Sequence, residues 1–229
     1  STGFAVDVAL EPLDLDGIRR SVPRLAASGT LRGHLALSGT TERMQIDADL
    51  TGALGTVQAR GVFGDASTGW FADSHTVHVS DLDTRALTGR GPATALSGSA
   101  FLDGMFDPVR GPDGNARLLL GAGTAGAFAF DSAVTAVHAA AGVLHFDTLA
   151  LAWPGGRVNG GGSLGWRPPA GANVQASVEV KDLRPLDPLV TALAGLAVDT
   201  TADAHPLAGA ARGSLTLSGS FDSLALVAV

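Results

Sequence analysis

Hydrophobic and polar residues alternate with a period of two along most of this chain. Leu31, Leu35 and Leu37, for example, share one side of a stretch in which Arg32 and His34 share the other. Because successive side chains of a β-strand point to opposite faces of a sheet, this alternation predicts half-buried strands. The same pattern recurs over residues 44–50, 57–63, 144–146, 149–151, 158–166 and 174–180. The chain is therefore predicted to be mainly β.

Turn-forming residues separate these stretches at short intervals. Gly111–Gly114, Trp153–Gly156 and Arg167–Gly171 are rich in Gly and Pro, which favour tight turns. We expect each of these segments to connect two antiparallel strands.

One nine-residue stretch occurs twice. RGHLALSGT at 32–40 returns as RGSLTLSGS at 212–220, with six of nine residues identical. An L-x-P-L-D segment precedes each copy, at Leu10–Asp14 and at Leu183–Asp187. In the first copy we expect Leu35 and Leu37 to face a groove and Ser38 and Gly39 to form a turn.

The duplication predicts a stack of similar strand units rather than a site. We expect one continuous segment of a longer β-repeat protein over 1–229. Its approximate internal repeats would span 8–50 and 180–229, with a middle unit over 77–166. A further match, FDTLAL at 146–151 and FDSLAL at 221–226, predicts a polar turn between two strands at both places.

Two segments break the strand pattern. Leu15, Ile18, Val22 and Leu25 recur at helical spacing before Gly29, which can terminate a helix. The segment from Asp187 to Gly195 has Asp at the N-cap and Pro at the first helical position. Each segment predicts one short helix.

Composition excludes some functions and favours a large apolar surface. The net charge of −7 argues against nucleic-acid binding, which requires clustered Lys and Arg. The chain has no cysteine, so disulfides and thiol chemistry are excluded. Hydrophobic residues make up 45% of the chain and charged residues only 16%. So few charges leave apolar surface available to something other than water.

Several motifs have a chemical interpretation that their context does not support. Gly121–Gly126 fits the dinucleotide-binding pattern and Gly161–Gly165 fits the nucleophile elbow, but each requires a following helix, and the flanking residues alternate as strands do. His75 and His78 would lie on opposite faces of a strand. Asp14 and Asp16 begin a calcium-loop pattern that lacks its later ligands. We therefore expect a non-enzymatic protein with no metal and no cofactor.

The chain resembles the AsmA-like proteins, and in particular the TamB type. The resemblance lies in the G-x-L-x-L-S-G-[TS] pattern followed by an alternating strand, and in D-L-x-x-L segments such as Asp81–Leu87. Val180–Leu186 and Leu96–Gly104 are similar in style. The resemblance extends over nearly the whole chain as a recurring residue pattern, and no single motif is diagnostic.

The resemblance implies an elongated, curved antiparallel β-sheet forming an open trough with an apolar inner face and, here, two short helices. It further implies a protein of the diderm periplasm that is anchored in the inner membrane in its full-length form. Such a protein would move phospholipid between the inner and outer membranes, or aid the assembly of outer-membrane proteins with a partner of the Omp85 type.

The predicted lipid groove consists of large apolar residues from the alternating strands, and its ligand is the acyl chains of phospholipid. Its candidate lining residues are Leu35, Leu37, Met44, Ile46, Leu50, Val57, Phe63, Phe128, Phe130, Leu144, Phe146, Leu149, Leu151, Val178, Leu215, Leu217, Leu224 and Leu226. The alternative is a structural or adhesive β-repeat module whose apolar residues form a closed core without lipid, which alternation alone does not exclude.

Overall fold

The computed structural model describes residues 3–17, 28–40, 42–66, 69–165, 171–186, 208–220 and 223–228. The strands are β1 (Phe4–Asp14), β2 (Thr30–Gly39), β3 (Met44–Gly52), β4 (Gly55–Ala66), β5 (Gly69–Leu82), β6 (Thr94–Asp107), β7 (Gly111–Leu120), β8 (Gly123–Ala125), β9 (Phe128–Phe130), β10 (Ser132–Ala140), β11 (Val143–Trp153), β12 (Gly156–Gly165), β13 (Ala172–Val180), β14 (Ala211–Ser220) and β15 (Ser223–Ala228). Helix α1 spans Thr84–Thr88, and a short 3₁₀ helix spans Arg184–Leu186.

The strands form one antiparallel sheet in which neighbours along the chain are neighbours in space. Its path runs from β1 to β7, then from β10 to β15, and every step along it is antiparallel. The short strands β8 and β9 form a hairpin beside this path, with β8 pairing β6. The sheet is not closed into a barrel, because β1 and β15 do not pair. The predicted mainly β, open antiparallel sheet is confirmed.

The sheet is much longer across its strands than along them. The main path contains thirteen strands among the described residues. With about 4.8 Å between neighbouring strands, twelve spacings extend over about 58 Å. Each strand of the path pairs with the strand that precedes it on the path, so every added strand extends the sheet by one spacing.

The two faces of the sheet follow from the pairing register. Residues that face each other on neighbouring strands lie on the same side, so Val8, Leu35, Ala48 and Ala59 share one face. We call this side the inner face. The side that carries Asp7, which pairs with Ala36, is the outer face.

Glycines on the inner face stand opposite large residues. The register pairs Gly39 with Met44, Gly33 with Leu50, Gly162 with Phe146 and Gly160 with Leu149. A Cβ atom built on Gly33 would lie 2.0 Å from the carbonyl oxygen of Asp49, so no side chain fits there. This small-to-large pairing makes room for the large side chains of the inner face and accounts for part of the 31 glycines.

The predicted turn at Ser38 and Gly39 is wrong. Both residues lie within β2, where Gly39 pairs with Phe4 on one side and Met44 on the other. The turn follows at Thr40–Arg43, whose end residues exchange backbone hydrogen bonds of 2.9 and 3.2 Å. Gly39 has a φ of +125°, which L-residues rarely adopt, so glycine here lets the strand continue to its last pair.

The predicted turn at 146–151 is wrong, because this segment lies inside β11. An irregularity between Phe146 and Leu149 interrupts the register instead, which identifies a β-bulge around Asp147. The matching residues 221–222 lie outside the described part of the chain, and β15 begins at Ser223. In the first copy, the polar residues Asp147 and Thr148 therefore lie at a bulge and not at a turn.

The predicted turn at Gly111–Gly114 is also wrong, because these residues begin β7. The turn lies earlier, where the buried Asp107 carboxylate accepts hydrogen bonds from the backbone N–H groups of Val109 and Arg110 at 2.7 and 2.9 Å. This side chain substitutes for a backbone turn contact.

The turn after Trp153 is confirmed, and Arg167–Pro169 lie outside the described residues.

The strand ends form two different rims. At the insertion rim, strands are joined through residues 15–29, 83–93, 121–131 and 181–210, and through the tight turns at 53–54 and 154–155. At the turn rim, strands are joined through 40–43, 67–68, 108–110, 141–142, 166–171 and 221–222. The insertions add covering elements along one long side of the sheet.

Both buried clusters of the described residues lie at the insertion rim. In one, Phe128 and Phe130 of the β8–β9 hairpin pack with Trp153 and Val180, and the 3₁₀-helix residue Leu186 packs against them. In the other, Leu15 packs with Leu54, with Leu13, Leu31 and Ala86 alongside. Leu13 and Leu186 occupy the same position in the two L-x-P-L-D segments, so the repeat supplies one apolar residue to each cluster.

The helices only partly match those predicted from the sequence. Residues 15–17 are helical, but the remainder of the first predicted helix, and all of the second over Asp187–Gly195, lie outside the described residues. Helix α1 was not predicted. Asp83 caps its N-terminus by accepting from the N–H of Arg85, and Gly89 ends it in the left-handed region. Among the described residues, no helix is long and apolar enough to cross a membrane.

We predict that stability depends on the insertion rim. Trp153 is 4% exposed, so Trp153→Ala should lower the free energy of unfolding by about 3–5 kcal/mol. Trp70 is 50% exposed at the turn rim, so Trp70→Ala should cost clearly less. Urea denaturation of both variants measures the difference. Equal losses would contradict the assignment of the structural core to the insertion rim.

Candidate functional site

Four rows of side chains cross the inner face from strand to strand. The third row, for example, reads Val8, Leu35, Ala48, Ala59, Val77, Ala100, Leu118, Thr135, Leu149, Gly160, Ala176 and Leu215. The rows are numbered from the turn rim, and they begin at Phe4, Val6, Val8 and Leu10. Within the described residues, no Asp, Glu, Lys or Arg takes a position in these rows, so the inner face is a continuous apolar surface.

Among the described residues, the cluster around Trp153 packs against part of the fourth row, and no second sheet covers the other rows. No side chain among the described residues is less than 2% exposed. Along the rows, residues such as Leu35, Leu118 and Leu149 are only half-buried. Apolar residues in the core of a sheet-on-sheet sandwich are fully buried against the facing sheet. An exposed apolar surface of this extent is typical of a binding surface.

The register places most of the predicted lining residues on the inner face. These are Leu35, Leu37, Met44, Ile46, Leu50, Val57, Phe63, Leu144, Phe146, Leu149, Leu151, Val178, Leu215 and Leu217. Leu224 and Leu226 take positions in register with Gly219 and Leu217, in the first and second rows.

Phe128 and Phe130 do not belong to this exposed surface. They are 5% and 6% exposed and lie in the buried cluster with Trp153. The reason is that β9 is not on the main path of the sheet, and its hairpin packs over the insertion rim. These two residues cover one end of the inner face instead of lining it.

Sequence reasoning missed several inner-face residues. Val8, Val77, Leu102, Leu118 and Val137 all take positions in the rows. Val77 and Val79 alternate with polar residues, and this alternation was sufficient to assign Val77 to the apolar face. Leu102 follows the apolar Phe101 in β6, and Leu118 begins the Leu118–Leu120 run in β7, so alternation does not assign their face.

His75 is one of two polar side chains in the rows, the other being Thr135. A Cβ atom on Gly61 would lie 2.5 Å from the His75 ring, so glycine on β4 provides the space that the ring occupies. The ring centroid lies 6.3 Å from that of Phe63. The His75 Nε2 atom is buried without a hydrogen-bond partner. His78 lies on the opposite face, opposite Ser99, so the two histidines do not converge.

The outer face carries paired charges. Arg60 donates to Asp47 at 3.2 Å, and Glu179 accepts from both Arg157 and Arg212 at 2.6 Å. The Arg212 and Arg157 guanidinium groups lower the pKa of the Glu179 carboxyl below its ordinary value. These exposed pairs contribute little stability, but they give the outer face a solvated surface. The two faces therefore differ sharply in polarity.

The glycine motifs have structural roles. Gly121–Gly126 leads into and through β8, and Gly126, with a φ of +61°, turns the chain into β9. Gly161–Gly165 lies within β12. Strand β9, and not the helix of a phosphate-binding loop, follows the first segment, and Ser163 of the second lies inside a strand and not at the strand-to-helix turn of a nucleophile elbow.

Comparison with protein-family models, with curated proteins and with solved structures finds no match for this chain.

A charge on the inner face should be tolerated by the fold. Leu149 is half-buried on an open surface, so in Leu149→Asp the carboxylate reaches water and unfolding should become easier by only about 1–2 kcal/mol. The matched control is Thr148→Asp, which puts the same charge on the outer face of the same strand. A loss of native structure in Leu149→Asp alone, seen by circular dichroism, would indicate a closed core.

Proposed function

We propose that this chain is a lipid-conducting segment of a periplasm-spanning protein, in which the inner face holds phospholipid acyl chains. The observation that supports this proposal is the apolar surface itself, continuous over about 58 Å of strand spacings. A surface of that length, half-exposed and without charged residues in its rows, fits an elongated apolar ligand better than a compact one.

Hydrocarbon is the ligand chemistry that this surface can accommodate. Each methylene transferred from water to an apolar surface contributes about 0.8 kcal/mol, so a long acyl chain gains much in total. Moving the chain by one strand spacing replaces apolar contacts with similar apolar contacts. The rows vary in side-chain size and, among the described residues, contain only His75 and Thr135 as polar side chains, so a lipid can bind strongly overall and still shift at low cost.

The two rims give the lipid an orientation. The insertion rim is covered by the two buried clusters, which contain Phe128, Trp153 and Leu54. The turn rim has short connections. We therefore infer that polar headgroups lie toward the turn rim, where water is available, while acyl chains lie along the rows.

The same geometry distinguishes this proposal from an adhesive module with a closed core. A closed core requires the inner face to be buried, and residues such as Leu35, Leu118 and Leu149 are only half-buried along the rows. The resemblance to AsmA-like proteins adds the expected setting: an inner-membrane anchor on the full-length protein, transport between the inner and outer membranes, and a role in outer-membrane protein assembly.

Photo-crosslinking in cells tests the proposal. A photoreactive residue at Ile46, on the inner face, should yield phospholipid adducts detectable by mass spectrometry of the purified chain. The matched control is Gln45, the preceding residue of β3, which lies on the outer face and is exposed. Equal adduct yields at both positions, or none at Ile46 and at a second inner-face position such as Leu149, would overturn the proposal.

A further inference from the structure

A pocket interrupts the inner face near the turn rim. It lies across β5, β6, β7, β10 and β11 and has a volume of ≈ 180 Å³. Its floor is made of small residues, among them Ala72, Gly104, Gly114 and Ala139. Larger apolar residues, such as Leu102 and Leu144, border it within the rows.

The first row explains why the pocket lies here. From β3 to β12 this row reads Met44, Phe63, Ala72, Gly104, Gly114, Ala139, Leu144 and Leu164. Four successive small positions therefore lie between large residues on both sides. No other part of this stretch has two small positions side by side.

Backbone contact keeps the floor empty. Gly104 and Gly114 face each other, and a Cβ atom on Gly104 would lie 2.5 Å from the Asp113 carbonyl oxygen and 2.8 Å from the Gly114 Cα. No side chain can occupy this position without moving the backbone. The depth of the pocket thus depends on strand pairing and not on the rotamer of a neighbouring residue.

Two aromatic side chains, Trp70 and Phe106, form the wall of the pocket at the turn rim. The rings of Trp70 and Phe106 are stacked with centroids 5.3 Å apart, and Pro112 pairs with Phe106 on the next strand. Trp70 is 50% exposed and Phe106 is 36% exposed, although both are large and apolar. Much of each ring therefore stands at the rim open to water.

The residues that line the pocket determine the chemical class of ligand that it can bind. The backbone groups of the floor belong to paired strands, so they are not available to a polar ligand. By register, the side chains of Asp103 and Asn115 lie on the outer face, opposite each other. A volume of ≈ 180 Å³ has room for an apolar group about the size of benzene. The pocket therefore suits a short stretch of hydrocarbon.

We propose that this pocket holds the methyl-terminal part of one acyl chain and so provides a resting position on the lipid path. The inference rests on the proposed function of the inner face and adds a defined site to it. The polar end of a lipid finds no hydrogen-bond partner in the pocket, so the distal carbons enter it. The headgroup then remains outside the pocket, at another point of the turn rim, because the acyl chain between them runs along the rows.

Trp70 fluorescence can report this site. Fatty acids brominated near the methyl end should quench Trp70 more strongly than those brominated near the carboxylate. Trp70→Phe, which keeps a ring against Phe106, identifies the share of quenching due to Trp70 among the three tryptophans. Stronger quenching by the carboxylate-end probe would overturn the proposed orientation.

A pocket-filling variant tests the site itself. Ala116 lines the pocket and is half-buried, so Ala116→Leu should fill it and weaken binding of the distal-brominated probe roughly tenfold, since one or two methylenes lose their site. The matched control is Ala150→Leu, which adds the same side chain at a half-buried position on the outer face of β11. Circular dichroism and urea denaturation confirm that both variants fold.

The outcomes separate the two proposals. If Ala116→Leu leaves Trp70 quenching unchanged while the chain still binds radiolabelled phospholipid, the pocket proposal is wrong and the proposed function stands. If the unmodified chain binds neither phospholipid nor brominated fatty acid, both proposals fail. A loss of Trp70 quenching in Ala116→Leu that exceeds any loss of phospholipid binding, with no change in Ala150→Leu, supports the pocket.

Discussion

Cross-strand register in a single antiparallel sheet is the constraint on which this structure depends. Strand alternation gives each strand one apolar side, but register decides whether those sides coincide on neighbouring strands. Here Val8 faces Leu35, which faces Ala48, and the match continues to β15. Because side chains repeat with a period of two, a slip of one residue on any strand would place its apolar residues among the charges of the outer face.

The sheet is stabilised mainly by its ladders and by one rim. The clusters around Trp153 and around Leu54 are the buried apolar clusters of the described chain, and both lie at the insertion rim. Folding therefore uses only part of the inner face: fourth-row residues such as Leu151 and Val178 pack against the Trp153 cluster, whereas the rows nearer the turn rim do not. A surface that the fold leaves uncovered can serve a ligand, and this separation of structural core from apolar surface underlies the proposed function.

The sequence predicts the fold and most of the inner face because both depend on local alternation. Leu144 and Leu149 were assigned correctly from their own strand, even though a bulge lies between them. Phe128 was misplaced because a three-residue strand has the same alternation whether it joins the main path or folds over a rim. Alternation does not encode strand order, so β9 could not be distinguished from its neighbours.

The pocket was beyond sequence reasoning for a different reason. Its floor combines Ala72, Gly104, Gly114 and Ala139, which come from four strands. Only the register brings them into one row. The turn at Asp107 was missed because a buried carboxylate forms it, whereas Gly111 and Pro112 have turn-like composition but begin a strand.

The most direct test of the central claim is the lipid content of the purified chain. After purification from bacterial cells under native conditions, extraction and mass spectrometry should find phospholipid in stoichiometric amount, and lipid should be depleted in Leu149→Asp but not in Thr148→Asp. A folded chain without lipid, whose inner face is also protected from an apolar fluorescent dye, would contradict the account.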